Sequence, residues 1–161
     1  MLNGFSKAYA MTGWRLGYVI APREFMRALQ TAHGNFFIST NEFVQWAALA
    51  ALTEAGEDTT RFHKIFDQRR QAMVAGLRRI GLGVAVPPTG AFYVLANATR
   101  CGADSKTLAF DILEHAHVGV TPGVDFGSRA EGFLRFSYSN SLARIEEAVE
   151  RIGRYLRERG P

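Results

Sequence analysis

Cysteine, lysine and long apolar runs are the scarcest features of this 161-residue sequence. Cys101 is the single cysteine, so an internal disulfide is excluded. No uninterrupted apolar stretch approaches the roughly 18 residues that a membrane-spanning helix requires. The first residues also lack the basic start and the apolar core of a secretory signal. These absences argue against a membrane partner and against secretion, and a cytoplasmic location is the expectation.

The excess of basic residues does not form a nucleic-acid-binding patch. The net charge is +4, but the arginines are spread along the chain. Arg69-Arg70, Arg78-Arg79 and the run from Arg154 to Arg159 fall on helical patterns with acidic neighbours. Such patterns are typical of solvated helix faces rather than of a groove that follows a phosphate backbone. No nucleic-acid partner is therefore expected.

The apolar periodicity from Thr59 onward predicts a compact two-layer α/β unit. Apolar residues make up 47% of the chain and charged residues 21%, which is typical of a folded protein. The predicted order is helix, strand, strand, helix, strand, strand, helix, an arrangement that can bury its own core. Ser105 and Ser141 are the predicted N-caps of the second and third helices, and Gly81 ends the first one. The first helix is predicted over 59–80, and the strands over 84–86, 91–95, 118–120 and 133–138.

The residues before this unit, 1–56, are too apolar to be an exposed extension and too few to form a hydrophobic core by themselves. A buried strand is predicted over 16–21, a helix beginning at Pro22, a connection over 35–41, and a well-buried or interface helix over 42–52. Residues 54–58 are expected to interrupt the helices. The division that follows is 1–56 as the remnant of one domain and 57–161 as a second domain, in a chain expected to be incomplete on its N-terminal side.

Lys7 is the lysine with unusual surroundings. Lys64 and Lys106 lie in polar helical sequence, whereas Lys7 is flanked by Phe5 and Tyr9. Because desolvation disfavours the charged ammonium, a lysine among apolar groups can become a nucleophile. From the residues alone, an ordinary surface lysine beside a strand is the alternative interpretation.

Residues 3–18 read NGFSKAYAMTGWRLGY and resemble the cofactor-lysine motif of class I and II aminotransferases. In that family Ser-Lys is followed, several residues later, by Gly-x-Arg-x-Gly. The resemblance implies that Lys7 forms a Schiff base with pyridoxal 5'-phosphate and that Arg15 and Ser6 bind the cofactor, Arg15 at its phosphate. A guanidinium fork suits a phosphate group.

Three glycines complete this motif. Gly13 and Gly17 are expected to let the backbone pass close to the cofactor and to a neighbouring strand. Gly4 stands where family members often have a serine that binds the phosphate. The resemblance therefore implies that other residues make this phosphate contact. Ser6 is a weaker candidate for it than the serine that family members often have at the position of Gly4.

The segment from Phe133 to Tyr138, FLRFSY, is similar to the family segment whose arginine binds the substrate α-carboxylate. The resemblance assigns that role to Arg135. An arginine with apolar neighbours on both sides is unfavourable unless it meets an anion, and a structural ion pair is the alternative. The segments 87–93 and 121–127 are similar to family loops that shape the mouth of the site.

The resemblance implies the fold of pyridoxal-phosphate-dependent transferases, with residues 1–56 from the large domain and 57–161 as the small C-terminal domain. It implies an aminotransferase that uses an amino acid and a 2-oxo acid and works as a homodimer. A lyase of the same cofactor family and a non-catalytic truncated fragment are the alternatives. Family members specific for dicarboxylates often have an arginine shortly before a Ser-x-Asn element, whereas Asn35-Phe36-Phe37-Ile38 precede Ser39-Thr40-Asn41 here. The resemblance therefore favours a substrate with a neutral or apolar side chain. No metal is expected, because His115 and His117 lack a third ligand.

Overall fold

The computed structural model describes residues 1–102 and 104–159, and the chain divides into two compact units. The first unit is Met1–His63 and the second begins at Lys64. The long helix Gly56–Arg79 starts where the sequence predicted the domain division, and the boundary between the units lies within that helix. None of the described helices combines the length and the apolar character needed to cross a membrane.

The first unit is built from a two-stranded ribbon followed by helices. Strands β1 and β2 pair antiparallel, with Gly4 opposite Gly17. Between the strands lie a four-residue helix, α1, and the 3₁₀ turn Thr12–Trp14. The elements are β1 (Leu2–Gly4), α1 (Phe5–Ala8), β2 (Gly17–Val19), α2 (Arg23–Phe37), α3 (Glu42–Glu54) and the start of α4 (Gly56–Arg79).

Several predicted boundaries in this unit are corrected by the structure. The strand predicted over 16–21 is only β2, and it is half-exposed because it has a single three-residue partner. Helix α2 runs through Phe37, so part of the predicted connection is helical. The expected interruption over 54–58 is confined to Ala55. Glu57 and Asp58 lie in the first turn of α4, where acidic groups favour a helix start.

A small aromatic core holds the first unit together. Phe5 is 3% exposed, and its ring lies 5.4 Å from that of Tyr9 and 5.5 Å from that of Tyr18. Helix α3 contributes a single buried stripe, and its Trp46 is 66% exposed. Of the two predicted alternatives, the helix is therefore not well buried within this chain, and an interface helix stays a prediction. The unit leaves many other large apolar side chains exposed: Ile20, Phe25, Phe36, Phe37, Ile38, Phe43, Leu49 and Leu52.

The second unit contains a three-stranded antiparallel sheet with one shared hydrophobic core, which confirms the predicted α/β class. Strand β5 lies in the middle, between β3 and β4. Its Leu134 and Phe136 are buried together with side chains from all three long helices of the unit. The elements are β3 (Tyr93–Asn97), α5 (Ser105–Ala116), β4 (Thr121–Pro122), β5 (Phe133–Ser137) and α6 (Leu142–Arg159).

The predicted strands of the second unit are partly wrong. Residues 84–86 are not a strand, and only Gly83 makes an isolated bridge, to Asn97. The two prolines that follow cannot donate hydrogen bonds to a sheet, and Val86 is 82% exposed. The strand predicted over 91–95 begins at Tyr93, since Ala91 has a left-handed backbone with φ 58°. The strand predicted over 118–120 is replaced by β4 at 121–122.

The predicted helix ends are confirmed in two places. Gly81 has φ 89°, the Leu82 N–H donates to the Leu77 carbonyl at 3.0 Å, and the Gly81 N–H donates to the Arg78 carbonyl at 3.1 Å. These bonds form a Schellman C-cap. Ser141 caps α6, with its Oγ accepting from the backbone N–H of Arg144 at 3.4 Å.

The predicted cap of α5 is wrong by one residue. The Oδ1 atom of Asp104 accepts from the backbone N–H groups of Lys106 at 2.9 Å and Thr107 at 3.1 Å. Asp104 is therefore the N-cap, and Ser105 is the first helical residue.

Gly123 lies where two backbone segments meet. A Cβ atom at this position would stand 2.6 Å from the Phe133 carbonyl oxygen and closer still to that of Ala130. Both neighbours are backbone atoms, which cannot turn aside as the end of a side chain can. Gly119, a few residues earlier, has no atom within 4 Å of the corresponding position.

We expect Gly123→Ala to lower the free energy of unfolding by about 3 kcal/mol, because the added methyl group overpacks the loop. Gly119→Ala is the matched control and should change it by less than about 0.5 kcal/mol. Urea unfolding of both variants measures the difference. Equal midpoints for the two variants would contradict the close approach.

The pKa of Asp104 is lowered because the backbone N–H and the hydroxyl of Thr107 both donate to its carboxylate. A carboxyl whose pKa is lower in the folded state stabilises the fold above its unfolded-state pKa of about 3.9, and this contribution is lost at more acidic pH. Asp104→Asn keeps the capping oxygen but removes the charge. We expect the difference in unfolding free energy between wild type and this variant to be constant near neutral pH and to shrink below about pH 4. A difference that does not vary with pH would refute this account.

Candidate active site

Helix α1 presents Lys7 on the side opposite the core. Phe5 is buried, its N–H donates to the Leu16 carbonyl at 3.2 Å, and its carbonyl accepts from the Met11 N–H at 3.3 Å. Residues two apart on a helix do not face the same way, and the Lys7 side chain is exposed. The expectation that apolar neighbours desolvate Lys7 is therefore wrong for this structure. The apolar neighbours instead hold the backbone of α1 in place.

Arg15 reverses the chain between the 3₁₀ turn and β2. Its backbone is left-handed, with φ 53° and ψ 47°, a conformation that is uncommon for a residue other than glycine. Its side chain is exposed, and Nη1 donates to the Thr12 carbonyl at 3.1 Å. Such sparsely populated conformations are concentrated at ligand-binding positions.

A cavity of about 830 Å³ opens beside Arg15 within the first unit. Gly13 faces open space, since a Cβ atom there would have no neighbour within 4 Å. His33 lies 3.2 Å from the Thr40 hydroxyl, measured from Nε2 to Oγ1. Lys7 is not one of the lining residues. The cavity wall consists of Gly13, Trp14, Arg15, Leu16, Gly17, His33, Phe37, Ser39, Thr40, Asn41, Phe43 and Val44.

The other positions of the first motif lie on the ribbon and on α1. Gly17 packs against the neighbouring strand as predicted, because a Cβ atom there would stand 3.0 Å from the Asn3 carbonyl oxygen. Gly4 stands opposite Gly17 in the ribbon. Ser6 is half-buried on α1. The ribbon therefore brings the segments that carry Ser6, Lys7 and Arg15 together in one unit.

Arg135 lies between two aromatic rings in the second unit. Its Cζ atom is 4.3 Å from the ring centroid of Tyr93 and 4.4 Å from that of Phe126. Nη2 donates to the Thr121 hydroxyl at 3.3 Å, and the side chain is half-buried. Within the described part of the chain, no Asp or Glu oxygen lies within 4.0 Å of this guanidinium. A structural ion pair, the alternative for Arg135, is thus not found there.

Sequence reasoning missed the contacts that enclose Arg135. Tyr93 and Phe126 were predicted only to shape the mouth of the site. Strand register explains Tyr93: Leu95 is directly opposite Arg135, and Tyr93 is two residues from Leu95 on the same face. No local pattern brings Phe126 to the same place, because its turn lies outside the strands.

The other groups considered in the sequence have different surroundings. His115 stacks on Tyr155 with the ring centroids 5.6 Å apart, and His117 ends α5 with φ 55°. No three potential metal ligands cluster among residues 1–102 and 104–159. Burial raises the pKa of the Cys101 thiol, and the charge of Arg159 offsets this only in part. A raised pKa disfavours the reactive thiolate.

Residues 1–152 match the family model described as aminotransferase class I and II. The chain belongs to this family. The resemblance drawn from the two motifs is thereby confirmed, and the mixed α/β units are the fold of part of such an enzyme.

Relatives of this aminotransferase-family chain carry several different names. It is 40% identical over 157 residues to (5-formylfuran-3-yl)methyl phosphate transaminase of Methanocaldococcus jannaschii, covering 97% of this chain and 41% of that protein. It is 39% identical over 158 residues to valine–pyruvate aminotransferase of Mycobacterium tuberculosis, covering 97% and 41%. The solved aromatic aminotransferase of Pyrococcus horikoshii is 38% identical with a TM-score of 0.93, covering 98% of this chain and 43% of that one. The chain thus spans about two-fifths of the length of these relatives.

Proposed function

We propose that the protein carrying this chain is a pyridoxal-phosphate-dependent aminotransferase that moves an amino group from an amino acid to a 2-oxo acid. The observation that carries the proposal is the Arg135 guanidinium, half-buried between two rings, with no carboxylate partner among the described residues. Guanidinium has five N–H donors, and a substrate carboxylate would satisfy those that Thr121 does not.

The residues of the first unit fit the cofactor by their chemistry. Pyridoxal phosphate needs an amine for its aldehyde and cationic donors for its phosphate. Lys7 offers an amine on an exposed residue, and Arg15 offers a guanidinium beside a cavity with space at Gly13. Ser6 is a further hydroxyl donor on the same helix as Lys7. We assign Lys7, Arg15 and Ser6 to cofactor binding.

In the proposed reaction, Lys7 would act as the base and Arg135 would bind the substrate carboxylate. When bound, pyridoxal phosphate supplies an electron sink that makes the substrate α-proton removable. The Lys7 Nζ atom would accept that proton and return it as the general base of the reaction. Arg135 would hold the α-carboxylate in two-pronged fashion and so fix the direction of the breaking bond.

We assign residues 1–56 to the family's large domain and residues 57–161 to its small C-terminal domain, whereas the two compact units of the structure divide after His63. A homodimer is the proposed assembly, and the exposed aromatic surface around Phe36, Phe37 and Ile38 is compatible with cover by further protein. We propose a substrate with a neutral or apolar side chain. The residues directly before Ser39-Thr40-Asn41 support this, because they are Asn35-Phe36-Phe37-Ile38 and include no arginine for a distal carboxylate.

Replacing Lys7 by alanine is expected to lower the rate of amino transfer by about 10² to 10⁴-fold, the usual effect of losing a general acid–base group. Transfer from an amino acid to a 2-oxo acid in the presence of pyridoxal phosphate measures the rate, and Lys64→Ala is the matched control. Borohydride reduction followed by peptide mapping should find the cofactor on Lys7 rather than on Lys64 or Lys106. Normal turnover in Lys7→Ala, or ammonia release without a 2-oxo acid, would contradict the assignment.

Arg135→Lys keeps the charge but removes the two-pronged fork. We expect the KM for the amino acid to rise about tenfold, equivalent to losing one charge-assisted hydrogen bond of ~1.5 kcal/mol. Arg129→Lys, at an exposed position of the same unit, should leave KM unchanged. An unchanged KM in Arg135→Lys would exclude this arginine as the carboxylate ligand.

A further inference from the structure

Ser105 is a buried polar residue that helix capping does not explain. The residue is 1% exposed, and apart from the aromatic Tyr138 the other polar or charged residues that the structure describes are less buried. Asp104 already caps α5. The Ser105 hydroxyl instead accepts a hydrogen bond from the backbone N–H of Val124 at 3.3 Å, nineteen residues along the chain. A buried hydroxyl used in this way joins the start of α5 to a distant loop.

The loop that Ser105 contacts carries one of the two rings on Arg135. Val124 and Phe126 belong to the 3₁₀ turn Gly123–Phe126, which follows the short strand β4. The Phe126 ring is 50% exposed, so packing alone constrains it weakly. Tyr93, on the other side of the guanidinium, is fixed by strand pairing with Ser137. The two sides of Arg135 are therefore supported in different ways.

Hydrogen bonds also connect Ser105 to the residues just before strand β5, which carries Arg135. Its backbone N–H donates to Glu131 Oε1 at 2.7 Å, and the same oxygen accepts from the Gly132 N–H at 2.9 Å. Gly132 directly precedes β5. A hydrogen-bonded path thus runs from the start of β5 through Glu131 and Ser105 to Val124.

We propose that Ser105 is a positioning residue for Arg135. By holding Val124 in place, its hydroxyl keeps the Phe126 ring against one face of the guanidinium, so that the guanidinium plane keeps one orientation with its N–H donors toward the substrate carboxylate. The consequence for catalysis rests on the proposed role of Arg135. The geometric part, that Ser105 sets the placement of Phe126 on Arg135, can be tested without substrate.

The test is NMR of the ¹⁵N-labelled chain, following the side-chain Nε–Hε signal of Arg135. The ring currents of the two aromatic side chains so close to the guanidinium shift this signal. The signal is assigned to Arg135 by its disappearance in Arg135→Lys. Phe126→Ala supplies the change expected when one ring is absent. We expect Ser105→Ala to produce more than half of that change. Ser105→Cys has a similar volume but a weaker acceptor and should produce a smaller change in the same direction.

Asp104→Ala is the matched control, because it weakens the same end of α5 but leaves the Val124 acceptor in place. Its Arg135 signal should remain at the wild-type position even though the helix loses its cap. If Ser105→Ala fails to fold, Ser105→Cys decides. A wild-type Arg135 signal in folded Ser105 variants, with a displaced one in Phe126→Ala, would overturn the proposal. The role of Arg135 in carboxylate binding would be untouched by that result, since it is measured separately through KM.

Discussion

The sheet of the second unit has to keep the Arg135 guanidinium on the face opposite the hydrophobic core, beside Tyr93 and Phe126. Strand alternation requires it: Leu134 and Phe136 point into the core, so Arg135 between them must point to the other face. A charge removed from water is unfavourable unless other groups compensate. Among the described residues, the compensation comes from two aromatic faces and one hydroxyl rather than from a carboxylate. These partners stabilise the cation and still leave N–H donors available to an anion.

In the first unit the requirement is different, because the proposed role of Lys7 needs a side chain that the cofactor can contact. A four-residue helix has little stability of its own. Helix α1 is stabilised because Phe5 packs against two tyrosine rings and its backbone N–H donates a hydrogen bond to Leu16, in the segment before β2. The close pairing at Gly17 brings that segment near enough to make the bond. The same packing directs Lys7 outward. The apolar residues around the lysine therefore determine where its amine is presented, which is a different effect from the desolvation that their proximity in sequence suggests.

Features encoded locally were predictable, and features that depend on distant residues were not. The resemblance of two short motifs to the family made Lys7, Arg15 and Arg135 candidates, and the glycine after α4 predicted the C-cap that is observed. Asp104 and Ser105 are both good capping residues, and the choice between them depends on Val124, which is far along the chain. The enclosure of Arg135 by Phe126 has the same non-local origin. The strand predicted over 84–86 is absent for a local reason, because the prolines at 87 and 88 have no N–H groups to donate to a neighbouring strand.

The groups proposed for chemistry in this chain recognise what all amino-acid substrates have in common. An α-carboxylate is present in every such substrate, so an arginine that binds it contributes to orientation and hardly to choice between substrates. The same holds for an amine and a guanidinium that bind the cofactor. Relatives named for different substrates can therefore retain the same three residues. Selectivity has to come from side chains that contact the variable part of the substrate, because discrimination requires a difference in interaction between the competing molecules.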